Sequence, residues 1–175
     1  MENRPVPLVL VALALLPVIG AARQAAPAPV AVFETAKGAF EVEFFPQDAP
    51  KSVAHLTGLI QKRFYRGQRV HRVTAGLVQF GDPATRDMTR RDYWGGGGSG
   101  RPIGVAEFSK RTHARGIVAL AHSGDAARAD SQMFILKVAT PAYDGQYTVV
   151  GRVARGMDVV DKLAVTDVIK QVTLK

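Results

Sequence analysis

Cysteine is absent from the 175-residue sequence, and aromatic residues make up only 7% of it. Without cysteine the chain forms no disulfides, even in an oxidising compartment, and it has no N-terminal cysteine to carry a lipid. The remaining composition is ordinary, because 47% of the residues are hydrophobic and 22% are charged. These values predict one globular domain whose core is large enough to fold without disulfides or metals.

Three sequence patterns of common functional sites are also missing. The four histidines have no metal-ligand spacing such as His-Glu-x-x-His, and no Gly-x-Ser-x-Gly elbow presents a nucleophile. The glycine-rich run 95–100 is not followed by the Gly-Lys-Ser/Thr that completes a phosphate-binding loop. These absences disfavour a metal site, a hydrolase and a phosphate-binding loop.

The longest apolar run lies near the N-terminus, at 6–19. One arginine precedes it and a Gly-Ala-Ala sequence follows it, which is typical of a signal peptide and its cleavage site. The run is short for a membrane span, so we expect residues 1–22 to be a cleaved signal peptide rather than an uncleaved anchor. Residues 23–29 are expected to form a Pro/Ala-rich tether, and residues 30–175 the domain.

Export follows from that signal, either to the periplasm or by full secretion, with no stable membrane insertion after cleavage. The net charge is +8, and much of the excess lies between positions 86 and 115. Such a face attracts anionic partners. We interpret it as a solvated basic surface and expect no nucleic-acid partner, because only Tyr93 and Trp94 accompany the charges to stack on bases.

Hydrophobic periodicity predicts a mainly β protein. Apolar residues alternate with glutamates from 40 to 44, as in a half-buried strand, and Lys37-Gly38 predicts the turn of a hairpin over 30–45. Further short strands are expected at 68–74, 77–80, 117–121, 132–138, 147–153 and 168–174. Short strands joined by Gly/Pro turns indicate a closed antiparallel β-barrel.

Two helices are expected to cap this barrel. Apolar residues recur at helical spacing after Asp48-Ala49-Pro50, so the first helix should be capped by Asp48 and should extend to about Arg63. The second helix is expected over 157–163. Residues 82–104 have no periodicity and are predicted to form a long loop.

Strand parity brings several polar and apolar side chains onto one surface. Leu77 and Gln79 share a face of their strand, and Gln132 and Phe134 share a face of theirs. If these strands are neighbours, the four side chains form one patch with Arg72 at its edge. A cation, two amides and a ring suit a groove that grips a peptide backbone and a small apolar side chain.

A peptide bond that precedes proline would be a fitting target for such a groove. Its rotation has a barrier of roughly 18–20 kcal/mol and needs no covalent chemistry. Rotation localises a lone pair on the proline nitrogen, and a guanidinium beside that nitrogen stabilises the twisted form more than the planar one. Arg72 is suited to this role because its charge is permanent.

With these motifs in view, the chain resembles the cyclophilin-type peptidyl-prolyl cis-trans isomerases, in a bacterial-like, exported form. The similarity covers about residues 30–175. Its motifs are, in chain order, Ala49-Pro50-Lys51-Ser52-Val53, His71-Arg72-Val73, Gln79-Phe80-Gly81-Asp82, Glu107-Phe108-Ser109, Gly116-Ile117-Val118-Ala119-Leu120-Ala121, Ser131-Gln132-Met133-Phe134-Ile135, Asp144-Gly145 and Val150-Gly151-Arg152-Val153.

The resemblance implies an eight-stranded antiparallel barrel with two helices. It also implies that Arg72 is the catalytic arginine, that Gln79 grips the substrate and that Phe134 forms the floor of the proline pocket. The turn after Arg72 is one residue shorter than the family's common form. The remaining substrate-binding residues are then expected to be Leu77, Val78, Ala121, His122, Gln132, Tyr143 and Tyr147.

The implied partners are proline-containing peptides and unfolded or folding proteins, bound by a monomer without cofactor or metal. A second hypothesis is a proline-peptide-binding or chaperone module with little turnover, which the shortened turn and Tyr147, in place of a common histidine, motivate. A third is a barrel that encloses a small ligand. This third hypothesis requires a hollow interior, whereas the bulky strand residues predict a filled one.

Overall fold

The computed structural model describes residues 27–175. The predicted signal peptide and residues 23–26 of the predicted tether lie outside the described residues. Within the described range the chain forms eight β-strands and two α-helices, joined by loops and short 3-10 helices. In this same range no helix is long and apolar enough to cross a bilayer.

Most elements lie where the hydrophobic pattern predicts them, although β3 is much shorter than expected. The strands are β1 (Val30–Thr35), β2 (Gly38–Phe44), β3 (Arg72–Val73), β4 (Leu77–Phe80), β5 (Ile117–Leu120), β6 (Met133–Leu136), β7 (Val149–Arg155) and β8 (Ile169–Leu174). The helices are α1 (Pro50–Gln61) and α2 (Met157–Lys162). The 3-10 helices are Pro83–Arg86, Met88–Tyr93, Ala126–Arg128 and Pro141–Tyr143.

All strands join one antiparallel sheet in the order β3-β4-β6-β5-β7-β2-β1-β8. In the described chain, β3 and β8 are its two edges. Between these edges the described chain forms only an isolated Arg69–Val168 bridge, which lies outside both strands, and a few backbone hydrogen bonds, such as that from the Ile169 N–H to the Gln68 carbonyl at 2.8 Å. The sheet is thus a curled half-barrel, and the predicted closed barrel is not observed as a continuous ladder, because β3 has only two residues to pair.

Side-chain alternation divides the apolar residues into two clusters, one on each face of the sheet. The inner cluster fills the concave side, where Phe33 stacks on Phe40 with their ring centroids 4.9 Å apart. Val78 and Ile135 also belong to this cluster and are fully buried. Both helices cover it, α1 through Val53, Leu56 and Ile60 and α2 through Val160. Because side chains fill the interior, the structure disfavours the hypothesis of a barrel that encloses a small ligand.

A distant carboxylate, rather than the predicted Asp48, caps helix α1. The N-cap residue is Ala49, which makes no side-chain cap. Glu107 instead accepts hydrogen bonds from the N–H groups of Lys51 and Ser52 at 3.0 and 2.8 Å, and from the Ser52 hydroxyl at 2.7 Å. Asp48 forms an ion pair with Arg111. The helix start therefore anchors the long loop that contains Glu107.

Candidate active site

The outer face of β4 and β6 forms the floor of the candidate site. Gln79 lies opposite Phe134 in the antiparallel pair, and Leu77 lies opposite Leu136. Ala119 of β5 is the neighbour of Phe134 on its other side. These residues point away from the inner cluster, so strand parity places an amide and an aromatic ring beside each other on one surface.

An apolar pocket of about 80 Å³ opens above this floor. Its aromatic wall consists of Phe134, Tyr143 and Tyr147, whose ring centroids lie 4.8–5.8 Å apart. Tyr147 meets Phe134 edge to face at an interplanar angle of 90°. The complete lining is Arg72, Leu77, Gln79, Ala121, His122, Phe134, Tyr143 and Tyr147. A site of this size and lining admits one small apolar ring.

Arg72 provides the positive charge at the rim of the apolar pocket. It opens β3 opposite Gln79, and its side chain is exposed. The guanidinium donates a hydrogen bond of 3.3 Å to the Gln79 amide oxygen. Among residues 27–175 no carboxylate pairs with it. The cation is therefore oriented by an amide and remains available to a bound molecule.

Two glutamine amides extend this arrangement away from Arg72. The Gln79 amide nitrogen donates to the Gln132 amide oxygen at 2.9 Å. The Gln132 nitrogen donates in turn to the carbonyls of Gly95 and Gly97, at 2.9 and 2.7 Å. The hydrogen bonds therefore run in one direction, from Arg72 through Gln79 and Gln132 to the loop carbonyls. Because each amide accepts from one neighbour and donates to the next, the orientations of the two amides depend on each other.

A second, polar pocket of about 540 Å³ adjoins the first and shares Gln79, Ala121 and His122 with it. Its outer wall is the glycine-rich loop, defined here as residues 95–100. Asp82, which is fully buried, accepts hydrogen bonds from the N–H groups of Gly95 and Gly97 at 2.6 and 3.2 Å. A buried carboxylate thus positions the loop whose carbonyls receive Gln132.

Together the two pockets form a cleft with a ring-sized apolar end and a polar end. The Arg72 guanidinium lies at the rim of the apolar end, where no carboxylate of residues 27–175 pairs with it. Over residues 30–175 the chain matches the family described as cyclophilin type peptidyl-prolyl cis-trans isomerase/CLD. The chain belongs to this family. The predicted family is therefore confirmed.

Relatives of known name agree with that assignment. A probable peptidyl-prolyl cis-trans isomerase of Brucella abortus is 39% identical over 152 residues, which cover 83% of this chain and 78% of the relative. A peptidyl-prolyl cis-trans isomerase of Helicobacter pylori is 36% identical over 146 residues, covering 81% and 84% of the two chains.

Solved structures confirm the fold of the cyclophilin domain. A cyclophilin of Cryptosporidium parvum superposes with a TM-score of 0.73 at 21% identity, covering 85% of this chain and 98% of that one. A structure of the same protein in the presence of the dipeptide Ala-Pro gives a TM-score of 0.71 at 21% identity, covering 83% and 98%.

The cyclophilin cleft brings together nine of the ten residues predicted from the sequence. Eight of them line the apolar pocket, and Gln132 lies in the polar pocket. Val78 is the exception, because its side chain is fully buried on the inner face opposite Ile135. The structure therefore places Val78 outside the cleft, and Leu77 and Gln79 are the residues of β4 that line the pocket.

Sequence reasoning missed the residues that support the aromatic wall of the cyclophilin pocket. His113 is 1% exposed and lies edge to face against Tyr143 and Tyr147, at centroid distances of 6.0 and 6.4 Å. Its ring Nδ1 and its backbone N–H both lie within hydrogen-bond distance of one Asp144 oxygen, at 2.8 and 2.7 Å. These bonds hold the pKa of Asp144 below its ordinary value. The contact anchors the turn between the two tyrosines.

Proposed function

We propose that this cyclophilin accelerates rotation about X-Pro bonds in the cleft, without a covalent intermediate and without a cofactor. The observation that carries the proposal is the placement of the Arg72 guanidinium beside Gln79 at the rim of the pocket floored by Phe134. The names of the relatives from Brucella abortus and Helicobacter pylori support the same reaction.

Each end of the cleft has a distinct task in this proposal. The proline ring enters the apolar pocket, where Phe134, Tyr143 and Tyr147 replace water around it. The amides of Gln79 and Gln132 and the loop backbone hydrogen-bond the peptide groups on either side. These contacts hold one side of the X-Pro bond while the other side turns.

Arg72 then acts on the bond itself. As the bond twists, its double-bond character falls and the proline nitrogen gains a lone pair. A guanidinium near that nitrogen donates to the lone pair in the twisted state but finds no such acceptor in the planar one. This difference lowers the barrier, because it stabilises the transition state more than the ground state.

The substrates in this proposal are proline-containing peptides and unfolded or folding proteins. The Cryptosporidium parvum cyclophilin whose structure was determined with Ala-Pro supports this substrate class. The signal-like residues 1–22 support export to the periplasm or beyond, where the chain would act as a monomer on newly exported proteins.

The test compares Arg72→Ala with Arg90→Ala in an isomerisation assay on a short X-Pro peptide. Arg90 is also exposed and lines neither pocket. We expect Arg72→Ala to lower kcat/KM by roughly 100-fold, as when a transition-state donor is lost, and Arg90→Ala to leave it unchanged. Equal rates for wild type and Arg72→Ala would remove the assignment. Tight peptide binding without rate enhancement by the wild type would favour the binding or chaperone module.

A further inference from the structure

A groove outside the cleft lies where β8 passes the end of helix α1. It has a volume of about 420 Å³. Its lining consists of Ile60, Gln61, Arg63, Tyr65, Arg66 and residues 171–174. We call this the edge groove. None of the residues of the cyclophilin cleft borders it, so the catalytic proposal assigns it no role.

Backbone groups of β8 face this groove without partners. The Lys175 N–H donates to the Val30 carbonyl of β1, and β8 pairs with β1 from Leu174 to Gln171. Because backbone groups alternate along a strand, the N–H and C=O of Val172 and Leu174 point away from β1. Within the described chain these groups form no hydrogen bond to the segment that faces them.

The next residues of β8 show how this edge pairs when a partner is available. The backbone groups of Ile169 also point away from β1, since a bulge shifts the register between Ile169 and Gln171. Its N–H donates to the Gln68 carbonyl, and its own carbonyl accepts the Gly67 N–H, both at 2.8 Å. Residues 67–68 therefore pair with the edge of β8 at Ile169. They do not reach Val172 and Leu174, where an added strand would continue the sheet.

The charge of the edge groove selects among such strands. Arg63 and Arg66 are exposed and border it, and its lining contains no carboxylate. Within residues 27–175 neither guanidinium has an ion pair. Arg86 lies close by, since its side chain hydrogen-bonds the carbonyls of Phe64 and Arg66. This positive edge favours carboxylate side chains and disfavours lysine.

We propose that the edge groove binds an extended, acidic polypeptide segment of a partner protein, which adds to β8 as a further antiparallel or parallel strand. Its backbone pairs with Val172 and Leu174, and its carboxylates pair with Arg63 and Arg66. The unpaired strand edge provides the affinity, and the two arginines provide the selectivity. The site gives the isomerase a second contact with acidic proteins that is separate from its proline pocket.

Fluorescence anisotropy with three eight-residue peptides tests the proposal. The first alternates valine with glutamate and has no proline, so that it does not enter the isomerase cleft. The second has lysine in place of glutamate. The third keeps the glutamates but carries N-methyl groups on the amides that would pair with β8. We expect the first peptide to bind at least roughly tenfold more tightly than either of the others.

The double variant Arg63→Gln, Arg66→Gln should weaken binding of the first peptide by roughly tenfold or more. The matched variant Arg101→Gln, Arg155→Gln removes the same charge from exposed positions outside the groove and should leave binding unchanged. Isomerase activity should be preserved in both variants, which shows that they fold. NMR shifts of the Val172 and Leu174 amides should locate the bound peptide.

Three results would overturn the proposal. One is equal binding of the acidic and lysine peptides. Another is equal binding of the N-methylated peptide, which would indicate charge attraction without strand pairing. The third is an equal loss of binding in both double variants. None of them bears on the isomerase assignment, because no probe contains proline.

Discussion

The two ends of the cyclophilin cleft are fixed by different physical means. At the apolar end, Phe134 is 3% exposed and packs among tyrosine rings, so sheet register and close packing position it. At the polar end, the glycine-rich loop has no apolar side chains to pack. The Asp82 carboxylate holds its first half through the N–H groups of Gly95 and Gly97, and Asp130 holds its second half through the Ser99 hydroxyl and the Gly100 N–H. The apolar end therefore depends on close packing, and the polar end depends on hydrogen bonds to carboxylates.

The largest expected effect comes from emptying the apolar end. Phe134→Ala should lower the free energy of unfolding by about 3 kcal/mol, as for other buried phenylalanines, and should lower kcat/KM by roughly 100-fold because the proline ring loses its floor. The matched variant Leu136→Ala removes a residue from the same strand face that is 1% exposed but lies outside the pocket.

Denaturant unfolding and the isomerisation assay separate the two roles of Phe134. Leu136→Ala should be similarly destabilised yet keep most of its kcat/KM. If both variants lost activity in equal proportion, the apolar end would contribute stability alone, and the comparison between the two ends would fail.

Removing one of the two carboxylates that hold the polar end should have a smaller effect. Asp82→Asn weakens the bonds from the Gly95 and Gly97 N–H groups, and we expect a loss of about 2 kcal/mol in unfolding free energy. Amide hydrogen exchange at these two glycines should accelerate, while kcat/KM falls less than in Phe134→Ala. Asp87→Asn, at an exposed cap, is the control. Unchanged exchange at both glycines would contradict the role of Asp82.

Weakening the His113–Asp144 contact beneath the tyrosines should affect the apolar end alone, and by a smaller amount. Asp144→Asn weakens the contact with His113 that anchors the turn between Tyr143 and Tyr147. We expect KM for an X-Pro peptide to rise by roughly threefold with kcat little changed, because the proposed mechanism assigns the step on the X-Pro bond to Arg72. Asp161→Asn removes a carboxylate that pairs with Arg115 elsewhere. A fall in kcat with KM unchanged would argue against positioning through the tyrosines.

The smallest expected effect is a change in the free energy of unfolding at acidic pH. Hydrogen bonds from the His113 ring and backbone N–H hold the pKa of Asp144 below its ordinary value of 3.8. Because the folded-state pKa is depressed, this stabilisation is complete above the unfolded-state value and is lost as the pH falls through the folded-state value. Chemical denaturation of wild type and Asp144→Asn across pH 2–5 should therefore converge at the acid end of this range. Parallel curves would contradict the pKa shift.

The prediction from sequence succeeded where a residue's position depends on local periodicity. Leu77, Gln79 and Phe134 share a surface because side chains alternate along β4 and β6, and an antiparallel register places Gln79 opposite Phe134. It failed for Val78, which the family resemblance suggested although alternation along β4 places it on the face opposite Leu77 and Gln79. Strand pairing confirms that alternation, since Val78 lies opposite Ile135 of the inner cluster.

What the sequence by itself determined is the mainly β architecture, the order of strands and helices, and the arginine, amide and aromatic residues that line the cleft. Only the tertiary structure decided that Glu107 caps a helix more than fifty residues away, that Asp82 holds the glycine-rich loop and that His113 lies under the tyrosines. It also left the sheet open between β3 and β8. Periodicity is a property of neighbouring residues, whereas a buried charge finds its partners only after the chain has folded back upon itself.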